Sequence, residues 1–329
     1  MTCCQLRRTL PLLVIGLVIG HSAAAQMGVG SEGRQWPEDR AVAFLSREVP
    51  LWFQENHCFS CHNNGDAARA LYRAHQLAYP VPARALTDTT DWLGRPLEWD
   101  DNQGEPGFSD KKLARIQFSA ALVEAFEAGL IEDRGILIEA ARELLPYQRD
   151  NGSWPIDPEG ALGSPVTYGT HLATYMARRT LETADASRFE GAISRANDWL
   201  VQTEPRTVPD AASVLIALEG HQESDAKSQQ KRCLELIIGS QASDGGWGPY
   251  RNSPSEVFDT ALVLLALFSL GNEPPMGELI EQGRAYLIRN QLANGGWPET
   301  TRPPGAQSYA HYISTSGWAT LALLKTQAR

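Results

Sequence analysis

One seven-residue pattern, Gln-x-x-(Asp/Asn)-Gly-(Ser/Gly)-Trp, occurs three times in this chain and constrains its fold more than any other feature. The copies run from Gln148 to Trp154, Gln241 to Trp247 and Gln291 to Trp297. The last two tryptophans stand 50 residues apart and the first two 93, close to two periods. The gap should hold a worn copy, and Trp199-Leu200-Val201-Gln202 fits it. Gln54 lies 94 residues before Gln148, and a degenerate copy is placed near Asp101-Asn102-Gln103-Gly104. About six units of 40–50 residues result.

Each unit reads helix, glycine turn, helix. Before a turn comes an amphipathic run such as Ile136 to Leu145, with apolar residues at helical period. After it comes a more uniformly apolar run, such as Thr260 to Leu267 or Trp318 to Leu324. A helix apolar all round is buried all round, so the pairs predict two concentric layers. Asp259 is expected to cap the helix that begins at Thr260.

The repeat resembles the QW motif of the squalene cyclase and protein prenyltransferase superfamily. The resemblance covers about residues 38–326. It implies an all-α fold, a single-domain α/α toroid of about six helical hairpins closed around a central pocket. It also implies that Gln148, Gln241, Gln291, Trp154, Trp247 and Trp297 serve the fold: the glutamine caps helix ends and the tryptophan packs between hairpins. With 329 residues, 43% of them hydrophobic, the chain can bury a core of that size.

Residues 1–25 read as a signal peptide, with Arg7 and Arg8 ahead of the apolar run Leu10 to Ile19 and a small-residue cleavage site at Ala23-Ala24-Ala25. Residues 26–37 form an N-terminal segment. The protein is expected to be periplasmic or otherwise exported, with no stable membrane span after cleavage. Its net charge of −10 argues against a nucleic-acid partner, which clustered Lys and Arg would signal.

Removing the signal leaves Cys58, Cys61 and Cys233. Cys233, in an apolar helical run, reads as a core thiol. Cys58-Phe59-Ser60-Cys61-His62 is C-x-x-C-H, the attachment sequence that c-type cytochromes carry. Two thiols at that spacing reach two vinyl groups of one porphyrin, and the histidine folds under the ring to ligate iron. One covalent haem c is therefore expected, with Cys58 and Cys61 as thioether links and His62 as proximal ligand. The motif stands where other units have their glycine turn. For the sixth ligand the chain offers Met176, Met276, His171, His221 and His311, or an open position. Other readings of the two cysteines are a redox pair, half a zinc site or a disulfide.

The catalytic motifs of the resembling enzymes are incomplete. Class II terpene cyclases protonate an alkene with D-x-D-D. In Glu256-Val257-Phe258-Asp259 only Asp259 fits, as the last aspartate, and Phe258 replaces its acidic neighbour. Those cyclases are also taken to use two helical domains, and cyclisation is not expected. Tyr309-Ala310-His311-Tyr312 resembles the zinc-ligand histidine segment of prenyltransferases, without its Asp-x-Cys partner. Asn294 to Pro298 with Tyr309, His311 and Ile313 resembles a pectate lyase segment, but Ser314-Thr315-Ser316 stands where an Asn-Asp pair would follow. His171, Asp259 and His311 are the residues expected to project into the cavity, where a metal site is conceivable. The leading expectation is a haem protein for electron transfer or haem-linked sensing, with an unidentified redox partner. The alternative is a toroid enzyme or binder without haem, acting on an isoprenoid or polysaccharide. In either case the cavity suits an apolar small molecule.

Overall fold

The computed structural model describes residues 36–102, 110–156, 160–271 and 275–327. Among the described residues there are helices and turns and no strand. The outer layer comprises α1 (Pro37–Asn56), the short α3 (Thr87–Leu93), α5 (Arg134–Leu144), α7 (Glu190–Gln202), α9 (Ser224–Ile238) and α11 (Met276–Arg289). The inner layer comprises α2 (Ala68–Gln76), which continues a π-helical turn over Cys61–Ala67, then α4 (Lys111–Glu127), α6 (Thr170–Asp185), α8 (Val208–Ala217), α10 (Val257–Ser269) and α12 (Tyr309–Lys325). Each inner helix packs on the next, and α12 returns to the π-turn and α2. The fold is an α/α toroid.

The two layers follow from side-chain pattern. Outer helix α5 buries only Leu137, Ala140, Ala141 and Leu144, one stripe of its surface. Inner helix α10 buries every residue from Val257 to Leu264. In α9 the buried stripe includes Cys233, the core thiol expected from sequence. No helix of the described residues is long and apolar enough to cross a membrane.

The repeated motif does the same work three times. The Trp154 indole N–H donates to Leu144 O at 2.8 Å, Trp247 to Ile237 O at 2.8 Å and Trp297 to Leu287 O at 2.7 Å. Each indole thereby satisfies a carbonyl at the end of its own outer helix. The backbone N–H of the same tryptophans donates to a hydroxyl on the inner helix: Thr174, Thr260 and Ser316. The glutamine amide closes the turn, for example Gln148 Nε2 on Gly152 O at 3.0 Å, and reaches the next outer helix at Ala192 O, 2.8 Å away. Gln291 repeats this on Gly295 O and on Pro37 O at 2.9 Å, which joins the last hairpin to the first. Arg284 on Glu38 at 2.6 Å reinforces that seam. The turn glycine is required: Gly295 has φ +99°, and a Cβ there would lie 2.3 Å from Arg40 O on the neighbouring helix.

Two sequence expectations shift. Helix α10 starts three residues earlier than expected, with Glu256 at its N-cap, so Asp259 is no cap but an inward residue of the first turn. Of the degenerate copy, Gln103 and Gly104 lie outside the described residues, and its outer helix is the short α3. The worn copy Trp199 to Gln202 ends α7.

Candidate functional site

Among the described residues, two buried aspartates lie inside the ring. Asp66 projects from the π-turn. Its Oδ1 accepts from Tyr168 Oη at 2.5 Å, and its Oδ2 accepts from Gln117 Nε2 at 2.9 Å and Ser314 Oγ at 2.6 Å. Three inner elements and the loop before α6 thus meet on one carboxyl group. Burial, with Asp66 alongside, raises the Tyr168 pKa well above the usual tyrosine range, so the phenol stays protonated and donates.

Asp259 is the other. It is fully buried in the first turn of α10. Oδ2 accepts from Arg302 Nη2 at 2.5 Å, and Oδ1 is buried with no partner among the described residues. Arg302 also pairs with Glu256 at 3.0 Å and donates to Gly163 O, so it ties the loop after Trp297 to the loop before α6. Burial raises the Asp259 pKa to about 7, against the opposing pull of Arg302. An aromatic wall separates the carboxylates. Trp318 meets Phe258 edge-on at 5.6 Å and Tyr168 at 5.7 Å, and the Arg69 guanidinium lies 4.5 Å from its ring centre.

On the side where the inner helices end, Glu124 of α4 accepts from Arg179 of α6 at 2.9 Å and from Lys325 of α12 at 3.3 Å. Burial alone would raise the Glu124 pKa, but Lys325, Arg179 and Arg69 hold it far below the usual carboxylate range.

A family model, the squalene-hopene cyclase C-terminal domain, matches residues 202–329, which hold α8, α10 and α12. Drimenyl diphosphate synthase of Streptomyces showdoensis is 26% identical over 173 residues, covering 50% of this chain and 32% of that protein. The chain thus spans about a third of the length of that curated relative. The type II terpene cyclase MstE from Scytonema superposes with a TM-score of 0.58 at 14% identity, covering 88% of this chain and 97% of that one. The chain is a terpene-cyclase-like α/α toroid. An α-amylase from Clostridium perfringens superposes equally well, TM-score 0.58 at 13% identity over 91% of this chain and 100% of that one, so the likeness in shape conveys the fold alone. The expectation that such cyclases need two helical domains is corrected by MstE, since one toroid of this kind matches nearly its whole solved chain.

The expectation of haem c is overturned, and with it electron transfer, haem-linked sensing, iron binding and a redox partner. The matched family and curated relative are isoprenoid cyclases. The residues of this toroid also do not fit the group. Cys58 is 4% exposed, and the neighbouring Phe59 ring is stacked between Phe53 and Trp92, each 4.5 Å away. His62 begins the inner helix and not an open loop, and both its nitrogens are engaged. Nδ1 lies 3.2 Å from Ser314 Oγ, and Nε2 lies 3.7 Å from Cys61 Sγ. A porphyrin needs a flat open face over one imidazole nitrogen and an edge reaching both sulfurs; here the Phe53–Phe59–Trp92 stack lies beside the buried Cys58, and Ser314 and Cys61 take the two nitrogens of His62. Burial lowers the His62 pKa, but Cys61 and Asp66 outweigh it and raise the value well above the ordinary one.

The three expected cavity residues do not converge. His171 Nδ1 pairs with Asp210 at 2.9 Å and Nε2 contacts Thr203 at 3.0 Å, at the joint of α7 and α8. His311 Nδ1 sits 2.7 Å from Ser308 at the start of α12. Only Asp259 belongs to the aromatic centre. Among the described residues no group of three His, Cys, Asp or Glu side chains is placed to hold a metal ion. Sequence reasoning missed Asp66, Tyr168, Arg69 and Arg302. Asp66 stands one helical turn after His62, a spacing that could have suggested a shared face. Tyr168 and Arg302 come from loops that carry no repeat.

Proposed function

We propose that this protein takes an isoprenoid chain into the centre of its toroid and that Asp259 acts on it as proton donor. One observation carries the reading: a buried carboxyl oxygen without a partner, on a residue adjacent to Phe258 and beside the Trp318 wall. Asp66 has both oxygens occupied, whereas Asp259 has capacity for one more contact. With its pKa near 7, a protonated fraction is available at neutral pH. Aromatic faces stabilise positive charge that develops on a hydrocarbon after protonation. The matched family and curated relative, both cyclases of isoprenoids, favour this class over a polysaccharide.

The comparisons support the ligand class. The family match includes Asp259. MstE has been solved with geranylgeranyl dihydroxybenzoate as substrate and with merosterolic acid A as product. The test is to incubate the protein with farnesyl and geranylgeranyl compounds, following binding by tryptophan fluorescence and products by mass spectrometry. Asp259→Asn should retain binding and lose conversion. Absence of binding, or conversion unchanged in the variant, would overturn the reading. We also propose that the chain is exported. The signal segment, residues 1–25, lies outside the described residues. Cell fractionation should find the protein outside the cytoplasm with Gln26 as its first residue; recovery from the cytoplasm would contradict export, and a retained Met1 would contradict cleavage.

A further inference from the structure

We infer that Arg69 anchors an anionic group, a carboxylate or phosphate, on the ligand that enters the toroid. This rests on the isoprenoid reading and narrows it to isoprenoids with an acidic head. Arg69 projects from α2 and is 3% exposed. Its guanidinium lies over Trp318, one terminal nitrogen is 3.5 Å from Tyr168 Oη, and Nε has no partner. Among the described residues no carboxylate lies within ion-pair distance of it.

The other central cations differ. Arg302 has Asp259 and Glu256. Arg179 has Glu124 and Glu127, and Lys325 shares Glu124. Of Arg69, Arg179 and Lys325, Arg69 alone has no carboxylate in direct contact; Asp66 reaches it only through the shared Tyr168 hydroxyl. A guanidinium cannot shed its proton to escape burial, and an uncompensated buried charge is strongly unfavourable. A ligand anion gives Arg69 the direct partner it lacks. The planar fork suits two-pronged contact with carboxylate or phosphate oxygens, and the Trp318 and Phe258 rings beside it suit the hydrocarbon that follows. Tyr175 and Arg179, one turn apart on α6, and Lys325 stay part-exposed although their helices are the inner layer. Access from that side brings a ligand to Arg69.

The test compares geranylgeranyl diphosphate, geranylgeranoic acid and geranylgeraniol on wild-type protein and on Arg69→Gln. The wild type should bind at least one acid about tenfold or more tighter than the alcohol, the worth of a charged hydrogen bond. The variant should bind all three alike, with alcohol affinity unchanged. Preference for diphosphate or for carboxylate identifies the head group. Equal binding of acids and alcohol by wild type overturns the anchor and leaves the isoprenoid reading standing. Failure of all three to bind overturns both. Without ligand, Arg69→Gln should unfold at the same or higher urea concentration, because it removes a buried charge that has no carboxylate in direct contact. A clear loss of stability would assign Arg69 to structure and overturn the proposal.

Discussion

Asp66 and Tyr168 are 102 residues apart in sequence and share a 2.5 Å hydrogen bond inside the ring. That bond fastens the loop between α5 and α6 to the π-turn that leads into α2, two inner helices back around the ring. Tyr168→Phe removes the donor and leaves the carboxylate with one fewer partner. A hydrogen bond to a charged group contributes about 2 kcal/mol, and a loss of that order should appear in urea denaturation. An unchanged midpoint would mean the loop is held elsewhere.

The turn glycines can be separated by what lies beyond them. Gly295 and Gly305 both have positive φ, but a Cβ on Gly305 meets nothing within 4 Å. Gly305→Ala should cost about 1 kcal/mol from backbone strain alone. Gly295→Ala, with its clash against Arg40 O, should cost markedly more. Thermal denaturation of the pair decides it, and equal losses would contradict the close approach of neighbouring hairpins.

Glu124 holds two cations at once. Its pKa is depressed in the fold, so its stabilisation is present above the unfolded value and is lost as pH falls through the acid range. Glu124→Gln strands Lys325 and leaves Arg179 with Glu127 alone, and should destabilise by about 3 kcal/mol at neutral pH. Adding Lys325→Met to that variant should recover part of the loss. Additive losses in the double variant would contradict a shared network.

Asp259 has the opposite sign. Its pKa rises from the ordinary 3.8 to about 7 in the fold. The fold therefore favours the neutral acid, and that contribution is complete below about pH 4 and declines as pH rises to about 7. Asp259→Asn should flatten stability between pH 4 and 7, measured by urea midpoints across that window. If conversion occurs, its rate should fall as pH rises through about 7. Parallel pH profiles for variant and wild type would contradict a buried, raised acid.

Much of the fold was legible because the repeat encodes both partners of each joint. Trp154, Trp247 and Trp297 announce the hairpins, and the apolar run Thr260 to Leu267 announces an inner helix. The site was legible only at Asp259. His62 misled, because C-x-x-C-H specifies spacing along the chain and not the space around it. Here a π-turn sets the histidine, part-buried, against Ser314, 252 residues away. Arg69 and Tyr168 carry no local signal, since their roles arise only when the ring closes and brings Trp318 between them.

The most direct measurement is photo-crosslinking with a diazirine-bearing geranylgeranyl probe, followed by peptide mapping. Labelling should fall on the inner helices, at peptides containing Phe258 or Trp318, and should be competed by unlabelled ligand. Labelling confined to outer-helix peptides, or none that competitor removes, would contradict an isoprenoid site at the centre of the toroid.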